Sequence, residues 1–314
     1  TRQIIMEKNE KIYIAGYGGM VVSALNRVLK NLGHANVIIK TKEELNLMDA
    51  EAVADFFHKE KPDYVFLPSY KSGSIQANIK YPAEFIYDNL VVQNNVIHNA
   101  YLSKVKKLLF ISASCVYPKN ALQPMKEEYL MTGEIEATSQ AYAISKIAGI
   151  KMCQAYNKQY GTKFISTIPA TIYGPNDYFD LENSHVLSAI MRKFHEAKMN
   201  KFNEVILWGS GNPKREFLYV DDLVEACVFI MNNDFDVDLI NIGSGEDFTI
   251  KELAEKVKKI VGFEGEIKWD VLKPDGVMKK LLDSSRLETL GWKRKVELKE
   301  GLQKTYKGFI EKNI

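Results

Sequence analysis

The feature that most constrains the fold of this chain is an alternation between short apolar runs and longer amphipathic segments. Runs rich in β-branched and aromatic residues are separated by segments whose apolar residues recur every three to four positions. The runs are 11–16, 36–40, 63–69, 107–112 and 164–170. Nearly continuous apolar strands that alternate with helices are typical of a parallel sheet covered on both faces. The sequence therefore predicts an α/β fold with a doubly wound, Rossmann-type parallel sheet.

This rhythm loosens after about residue 176. A loop rich in Pro, Asn and Asp is followed by "SHVLSAIMRKFHEA", "VILWGSG", "VDDLVEACVFIMNN" and "LINIGSG", which predict helix, strand, helix and strand. Thr249 precedes Glu252 by three positions, which is the pattern of a capping box that opens another helix. We expect a first domain over 10–176, to which 216–243 returns, and a smaller C-terminal α/β lobe over 177–215 and 244–314.

Composition excludes several classes of function. The chain has 314 residues, is 46% hydrophobic and carries a formal charge of +2, which predicts neither a nucleic-acid partner nor a membrane partner. Cys115, Cys153 and Cys227 are an odd number without the spacing of metal ligands, so we expect no metal site and a reducing, cytoplasmic compartment. The first ten residues are interpreted as a polar leader outside the fold.

A glycine-rich turn joins the first predicted strand to the first predicted helix. Gly16, Gly18 and Gly19 lie in this turn, and Met20 and Val21 follow them. Such a turn lets backbone N–H groups approach a pyrophosphate at a helix N-terminus. The same glycines also suit a tight turn for purely steric reasons. Their position at the first strand favours a dinucleotide site.

The residues after the second strand bear on which dinucleotide is bound. Lys40 and Lys42 stand where an acidic residue would bind the ribose of NAD, and cations at this point can pair with the 2′-phosphate of NADP. The alternative is a pair of solvated surface lysines. Asp49 either faces the adenine edge or caps a helix.

Tyr142 and Lys146 are four residues apart in a segment predicted to be helical, so their side chains share one face. A neighbouring ammonium favours the phenolate and should lower the pKa of a tyrosine from its usual value near 10. The pair therefore suits a proton donor and its tuner, although the same spacing also arises by chance.

At this point the chain resembles the extended short-chain dehydrogenases/reductases, and among them the GDP-L-fucose synthase family (GDP-4-keto-6-deoxymannose 3,5-epimerase/4-reductases). The resemblance covers nearly all of 11–308 and rests on strings such as "IAGYGGMV", "SCVYPK", "YAISKIAGIKMC", "NSHV", "WGSGNPKREFLYVDD" and "KPDG". It implies that NADP(H) is the cofactor, bound by the first domain, and that a GDP-sugar occupies the smaller lobe. It also implies a homodimer through the amphipathic segments 83–102 and 139–157, although packing within one chain explains the same stripes.

The resemblance assigns roles to individual residues. Tyr142 would give a proton to the C4 keto oxygen, and Lys146 would tune it and anchor the cofactor ribose. Cys115 and His185 would move protons at C3 and C5, with His185 also near the cofactor; alternatively Cys115 is a small buried residue and His185 packs or caps. Further residues implied near the cofactor or the GDP-sugar are Lys71, Ser114, Asn183, Lys193, Trp208, Arg215, Lys273 and Asp275.

The chain departs from the family pattern at its most sensitive position. Ala113 stands where the family has a serine whose hydroxyl works with the catalytic tyrosine. Either Ser112 or Ser114 compensates, or the substrate tolerates the loss, or catalysis is impaired, since one preorganised donor is typically worth ~10²–10³ in turnover.

Other departures are Tyr17, Gly18, Val22, Thr171 and Lys193. We expect reduction of a GDP-4-keto sugar, either the fucose precursor or another hexose or heptose, with or without C3/C5 epimerisation. The alternatives are a pure C4 reductase and a GDP-sugar/NADP-binding protein with impaired catalysis.

Overall fold

The computed structural model describes residues 2–3, 6–181, 184–273 and 275–313. The strands are β1 (Arg2–Gln3), β2 (Ile12–Ile14), β3 (Val37–Ile38), β4 (Tyr64–Leu67), β5 (Lys107–Ile111), β6 (Phe164–Pro169), β7 (Thr171–Tyr173), β8 (Glu204–Trp208), β9 (Lys214–Tyr219), β10 (Asn233–Asp234), β11 (Leu239–Ile242), β12 (Asp247–Thr249), β13 (Glu266–Asp270) and β14 (Lys279–Lys280). The α-helices are α1 (Gly19–Asn31), α2 (Ala50–Glu60), α3 (Ile75–Lys80), α4 (Pro82–Leu102), α5 (Gln140–Tyr160), α6 (Val186–Met199), α7 (Val220–Met231), α8 (Ile250–Val261), α9 (Ser285–Thr289) and α10 (Leu298–Asn313). Short 3₁₀ helices span Ser114–Val116, Glu127–Tyr129 and Ala137–Ser139.

A six-stranded parallel sheet forms the centre of the molecule, in the order β11-β6-β5-β4-β2-β3. Each of the five apolar runs contributes one of its strands, and β11 adds the sixth, which confirms the predicted fold class. The strands β3 and β4 lie on opposite sides of β2, so the order reverses beside β2. Ligands of open α/β sheets bind at the carboxyl ends of the strands beside such a reversal.

Helices cover both faces of the sheet, so its central strands are buried on both sides. Every residue of β4 and β5 is buried. Helix α5 approaches β5 closely at Gly149, where a Cβ atom would lie 2.5 Å from Cζ of Phe110. A larger residue at Gly149 would therefore push α5, and the two predicted catalytic residues near its start, away from the sheet.

A second hydrophobic core lies under a smaller set of strands. Its sheets are β12-β9-β14, with β7 also paired to β9, and the parallel pair β8 and β13. Its core is formed by residues of α6, α8 and α10 together with β9, such as Leu187, Phe194, Leu253 and Leu302. The predicted division into 10–176 with 216–243, and 177–215 with 244–314, stays a prediction; Leu282, Leu287 and Trp292, assigned to the smaller lobe, pack in the core of the large sheet.

The strand β9 runs between the two cores. Phe217 and Tyr219 are buried in the second core, whereas Leu218 and Val220 are buried in the core of the large sheet. Because successive side chains of a strand point to opposite faces, one short segment serves both cores. The strand continues directly into α7, whose first turn carries Asp221 and Asp222, as the sequence predicted.

Two predictions of local structure, one for the start of α8 and one for the first ten residues, differ in whether the structure confirms them. The capping box at α8 is confirmed: the N–H of Glu252 donates to Oγ1 of Thr249 (3.0 Å), and the N–H of Thr249 donates to Oε2 of Glu252 (2.8 Å). The interpretation of the first ten residues as a leader outside the fold is wrong. Met6 is buried, its N–H donates to Oδ1 of Asn232 (2.9 Å), and β1 pairs with β10.

No helix in the part of the chain that the structure describes has both the length and the apolar character needed to cross a membrane.

Candidate active site

Tyr142 and Lys146 lie one turn apart near the start of α5, and both are buried. The hydroxyl of Tyr142 is 3.1 Å from Oγ of Ser69, two residues beyond the end of β4. The ring of Tyr142 meets the ring of Phe85 edge-on, with centroids 5.9 Å apart. The phenol is therefore held by one aromatic neighbour and one hydroxyl at the carboxyl end of the sheet.

Burial dominates the proton affinities of this pair. It lowers the pKa of Lys146 to about 7 and raises the pKa of Tyr142, which the nearby Cys115 also raises while the hydrogen bond with Ser69 lowers it. The Nζ atom of Lys146 lies 5.8 Å from the ring centroid of Tyr142 and 4.8 Å from that of Phe110. The expectation that Lys146 brings the pKa of Tyr142 below its usual value is wrong, because removal from water and then Cys115 raise this pKa, and only the hydrogen bond with Ser69 opposes them. Tyr142 keeps its proton at neutral pH, as a proton donor must.

Cys115 lies in the 3₁₀ helix that follows β5. It is partly buried and packs, with Ala113, against a cluster that includes Tyr142 and Phe85. Burial raises the pKa of the Cys115 thiol, against the opposing influence of Lys280 and then Lys146. The thiol is therefore protonated at neutral pH.

The hydroxyls beside Ala113 are placed differently from what the sequence suggested. Ser112 is 2% exposed, and its Oγ has no hydrogen-bond partner within the described ranges. Ser114 opens the 3₁₀ helix, and its carbonyl accepts from the N–H of Tyr117 (3.5 Å). The hydroxyl in contact with Tyr142 belongs instead to Ser69, on the neighbouring strand. The sequence analysis missed Ser69, although a serine directly after a central apolar strand was the available signal.

The glycine turn has the shape of a cradle for an anion. Gly18 and Gly19 have φ values of 50° and 73°, and a Cβ atom at either would meet open space, with no described heavy atom within 4 Å. Helix α1 begins at Gly19, and Met20 and Val21 of its first turn pack against the core of the large sheet. Free amides at a helix N-terminus above open space fit a pyrophosphate.

Tyr17 ties this turn to the segment before α2. Its hydroxyl donates to the carbonyl of Leu45 (2.6 Å) and accepts from the N–H of Leu47 (2.6 Å). Val22, one of the departures from the family pattern, is buried, and its Cγ2 lies 3.0 Å from where a Cβ of Gly16 would be. A side chain at Gly16 would therefore crowd Val22.

Most of the other residues predicted to bind the cofactor contact residues of the protein itself. Lys40 lies 3.9 Å from Glu44, and Lys42 is exposed. Asp49 is the N-cap of α2, and its Oδ1 accepts from the N–H groups of Glu51 and Ala52 (3.1 Å each). Lys71 contacts Glu84, and its Nζ lies 3.2 Å from Asp88. Contact of these residues with a cofactor stays a prediction.

His185 immediately precedes α6 and is partly buried. Asp177, which is partly buried, accepts from the hydroxyl of Ser188; burial raises the pKa of Asp177, and the hydrogen bond with Ser188 and then the charge of His185 oppose that effect. Asp177 is thus an electrostatic partner for an imidazolium. Asn183, predicted to bind the substrate, lies outside the described residues.

The structure brings together three residues predicted to bind the nucleotide. Trp208 at the end of β8 is 43% exposed, and the Nζ atoms of Lys193 and Lys273 lie 5.7 and 5.2 Å from its ring centroid. Asp275 holds the following turn, since its carboxylate accepts from the N–H and the hydroxyl of Ser210 (2.7 Å each). The exposed indole face with two ammonium groups suits a nucleotide base or phosphate.

Arg215 lies opposite Lys280 where β9 pairs with β14. Burial lowers the pKa of both groups. Because Lys280 influences both Cys115 and Arg215, it connects the catalytic end with the nucleotide end. The sequence analysis missed Lys280, since a two-residue strand leaves no periodic signal.

Known proteins resemble this chain in both sequence and structure. Residues 12–243 match the NAD dependent epimerase/dehydratase family, and the chain belongs to that family of extended short-chain dehydrogenases/reductases. It is 53% identical over 307 residues to a putative GDP-L-fucose synthase 2 of Arabidopsis thaliana (98% of this chain, 94% of the relative). It is 47% identical over 311 residues to a GDP-L-fucose synthase of Escherichia coli strain K12 (96% and 97%).

Among solved structures, the chain is similar to a GDP-mannoheptose C4 reductase from Campylobacter jejuni with NADP bound. The two share 40% sequence identity and a TM-score of 0.87, over 97% of this chain and 99% of the other.

Proposed function

We propose that this protein uses NADPH to reduce the C4 keto group of a GDP-linked 4-keto sugar. The observation that carries the proposal is the buried Tyr142, which retains its proton beside Lys146 at the carboxyl end of the sheet. The relatives described as GDP-L-fucose synthases and the NADP-bound GDP-mannoheptose C4 reductase support both the cofactor and the class of substrate.

The residues of the chain divide the work as follows. When bound, NADPH supplies the hydride that adds to C4. Tyr142 donates its phenolic proton to the keto oxygen, so that the carbonyl becomes an alcohol. Lys146 lies close enough to stabilise the phenolate that remains and to hold the cofactor ribose. The glycine turn at Gly18 and Gly19 receives the pyrophosphate.

At the other end of the cleft, Trp208 with Lys193, Lys273 and Arg215 binds the GDP portion. The indole offers a face for stacking, and the cations neutralise a diphosphate. Asn183, Ser114 and Asp275 complete the proposed substrate contacts, with Asp275 acting through the turn at Ser210.

Epimerisation at C3 and C5 is a further part of the proposal, with Cys115 and His185 as the acid and base. The narrower alternative is a pure C4 reductase in which Cys115 and His185 only bind the sugar; burial raises the pKa of Cys115, which suits a proton-donating thiol and disfavours a thiolate base. Solvent-deuterium uptake separates the two. Deuterium at C3 or C5 of the product supports epimerisation, whereas NADPH oxidation without exchange restricts the enzyme to C4 reduction.

We also propose that the protein acts in the cytoplasm, in nucleotide-sugar biosynthesis for a surface polysaccharide, and that it is a homodimer formed through α4 and α5. The free cysteines suit a reducing compartment. The dimer is supported by exposed apolar side chains on these helices, including Tyr87, Leu102 and Tyr160. Sedimentation of the protein alone and of Tyr160→Glu tests the dimer, because a charge in that contact should yield the monomer.

The function is tested with a panel of GDP-4-keto hexoses and heptoses, measuring NADPH oxidation and product stereochemistry together. Turnover of at least one GDP-4-keto sugar, with little turnover of the matching UDP-sugar, supports the proposal. Tight binding of NADPH and GDP-sugars without turnover would favour the alternative of impaired catalysis that Ala113 suggested.

A further inference from the structure

We propose that Ser69 is the positioning residue of Tyr142 and supplies the hydroxyl that Ala113 lacks. This inference rests on the proposed function, since it assigns a role within the same reductase site. It starts from the 3.1 Å contact between Oγ of Ser69 and the hydroxyl of Tyr142, which are 73 positions apart in the chain.

The sheet places Ser69 and Ala113 in neighbouring positions. Strands β4 and β5 are adjacent and parallel, and Leu67 pairs with Phe110. Ser69 follows Leu67 by two residues, and Ala113 follows Phe110 by three, so both stand at the same edge of the sheet. A hydroxyl lost at the end of β5 can therefore be replaced from the end of β4 without moving α5.

Two other serine hydroxyls in this region, those of Ser145 and Ser112, make no hydrogen bond to the phenol of Tyr142. The hydroxyl of Ser145 donates to the backbone carbonyl of Tyr142 (2.7 Å), and Ser112 is buried with its Oγ unpartnered among the described residues. The ring of Tyr142 is fixed by Phe85, which offers no hydrogen bond. Ser69 is the side chain that sets the direction of the phenolic O–H.

The hydrogen bond from Ser69 keeps its direction during the reaction but becomes stronger. With Ser69 as donor to the phenolic oxygen, the phenolic proton is left free to point at the substrate carbonyl. When the phenolic O–H bond breaks, the proton goes to the keto oxygen and the electron pair stays on the phenolate, which accepts from Ser69. A hydrogen bond to a charged oxygen is stronger than one to a neutral oxygen. Ser69 therefore stabilises the phenolate that forms during the reaction more than it stabilises the starting phenol.

A matched pair of variants isolates the hydroxyl. Ser69→Val and Ser69→Thr have the same shape, but only Thr carries a donor. We expect kcat to fall roughly 10- to 100-fold in Ser69→Val, with KM and NADPH affinity within about threefold of wild type, as for loss of a hydrogen bond to a charged group. Ser69→Thr should retain most of kcat, and Ala113→Ser added to Ser69→Val should recover part of it. Equal kcat values for the Val and Thr variants would overturn the inference.

A second measurement does not depend on any substrate. The protein is labelled with ¹³Cζ-tyrosine, and the resonance of Tyr142 is assigned by its disappearance in Tyr142→Phe. Ser69→Val should move this resonance, whereas Ser69→Thr should leave it close to wild type. An unmoved resonance in Ser69→Val overturns the inference even in an active enzyme. A moved resonance in a protein that turns over no GDP-4-keto sugar supports the Ser69 contact and refutes the proposed function alone.

Discussion

The catalytic end and the nucleotide end of the candidate active site differ in how far their polar side chains are exposed to water. At the catalytic end, Tyr142, Lys146 and Cys115 are withdrawn from water, and burial is the largest influence on the pKa of each. At the nucleotide end, Trp208 is 43% exposed, and Lys273 stands over its ring in contact with solvent. The reacting groups thus have their proton affinities set mainly by burial, whereas Trp208 and Lys273 remain open to solvent and to a ligand. Changes at the first end should therefore affect kcat, and changes at the second should affect KM.

The largest effect is expected for Tyr142→Phe. The ring and its contact with Phe85 remain, but the proton donor is lost, so kcat should fall by roughly 10³-fold or more. NADPH affinity, measured by fluorescence titration, should stay within about threefold of wild type. Turnover near the wild-type rate in this variant would mean that the buried end of the cleft does not supply the proton.

Arg215→Ala should produce the converse result. Loss of a partly buried guanidinium that can hold a diphosphate should raise KM for the GDP-sugar about 10- to 100-fold, while kcat changes little. Arg215→Lys is the matched control and should recover part of the affinity, because it keeps the charge without the bidentate geometry. A fall in kcat with unchanged KM would break the comparison between the two ends.

Lys146→Met should change how stability depends on pH. In the folded protein the pKa of Lys146 is about 7, below its ordinary value of 10.5, so the unfolded chain binds more protons between these values. Wild-type stability should therefore rise with pH across this window. From pH 7 to 9 the rise relative to Lys146→Met should be roughly 2 kcal/mol. Urea unfolding of the ligand-free proteins measures it, and parallel curves for the two proteins would show that Lys146 is not destabilised by burial.

The smallest effect is expected at the exposed end of the cofactor site. Lys40→Glu should reduce the preference for NADPH over NADH by about tenfold, because a partly exposed lysine is screened by solvent. Lys158→Glu, on the last turn of α5, is the control and should leave the preference unchanged. An unchanged ratio of kcat/KM values in Lys40→Glu would assign recognition of the 2′-phosphate to other residues.

Hydrophobic periodicity was sufficient to predict the strands of the large sheet, because each strand is a local run of apolar residues. The five apolar runs all became strands of one parallel sheet, and the Thr249 capping box formed as predicted. Family resemblance added the Tyr142 and Lys146 pair, which the fold buries side by side.

What escaped the sequence were contacts set by strand order and by removal from water. Ser69 meets Tyr142 only because β4 lies next to β5, and Lys280 meets Arg215 through a two-residue strand. The pKa of Tyr142 was predicted in the wrong direction, because sequence spacing reveals the neighbouring lysine but not the depth of burial. Met6 was misplaced for a similar reason, since a short apolar run between polar residues gives no sign of its partner Asn232 at the C-terminal end of α7.

The alternation of side chains along β9 and into the start of α7 limits how this chain can be divided into parts. Phe217 and Tyr219 complete one core, and Leu218 and Val220 complete the other, so cutting the chain here would strip both halves at once. We therefore expect neither half to fold when it is expressed alone. We expect the whole chain to melt in one cooperative step, and a sugar pocket taken from a relative to be transferable only together with this strand.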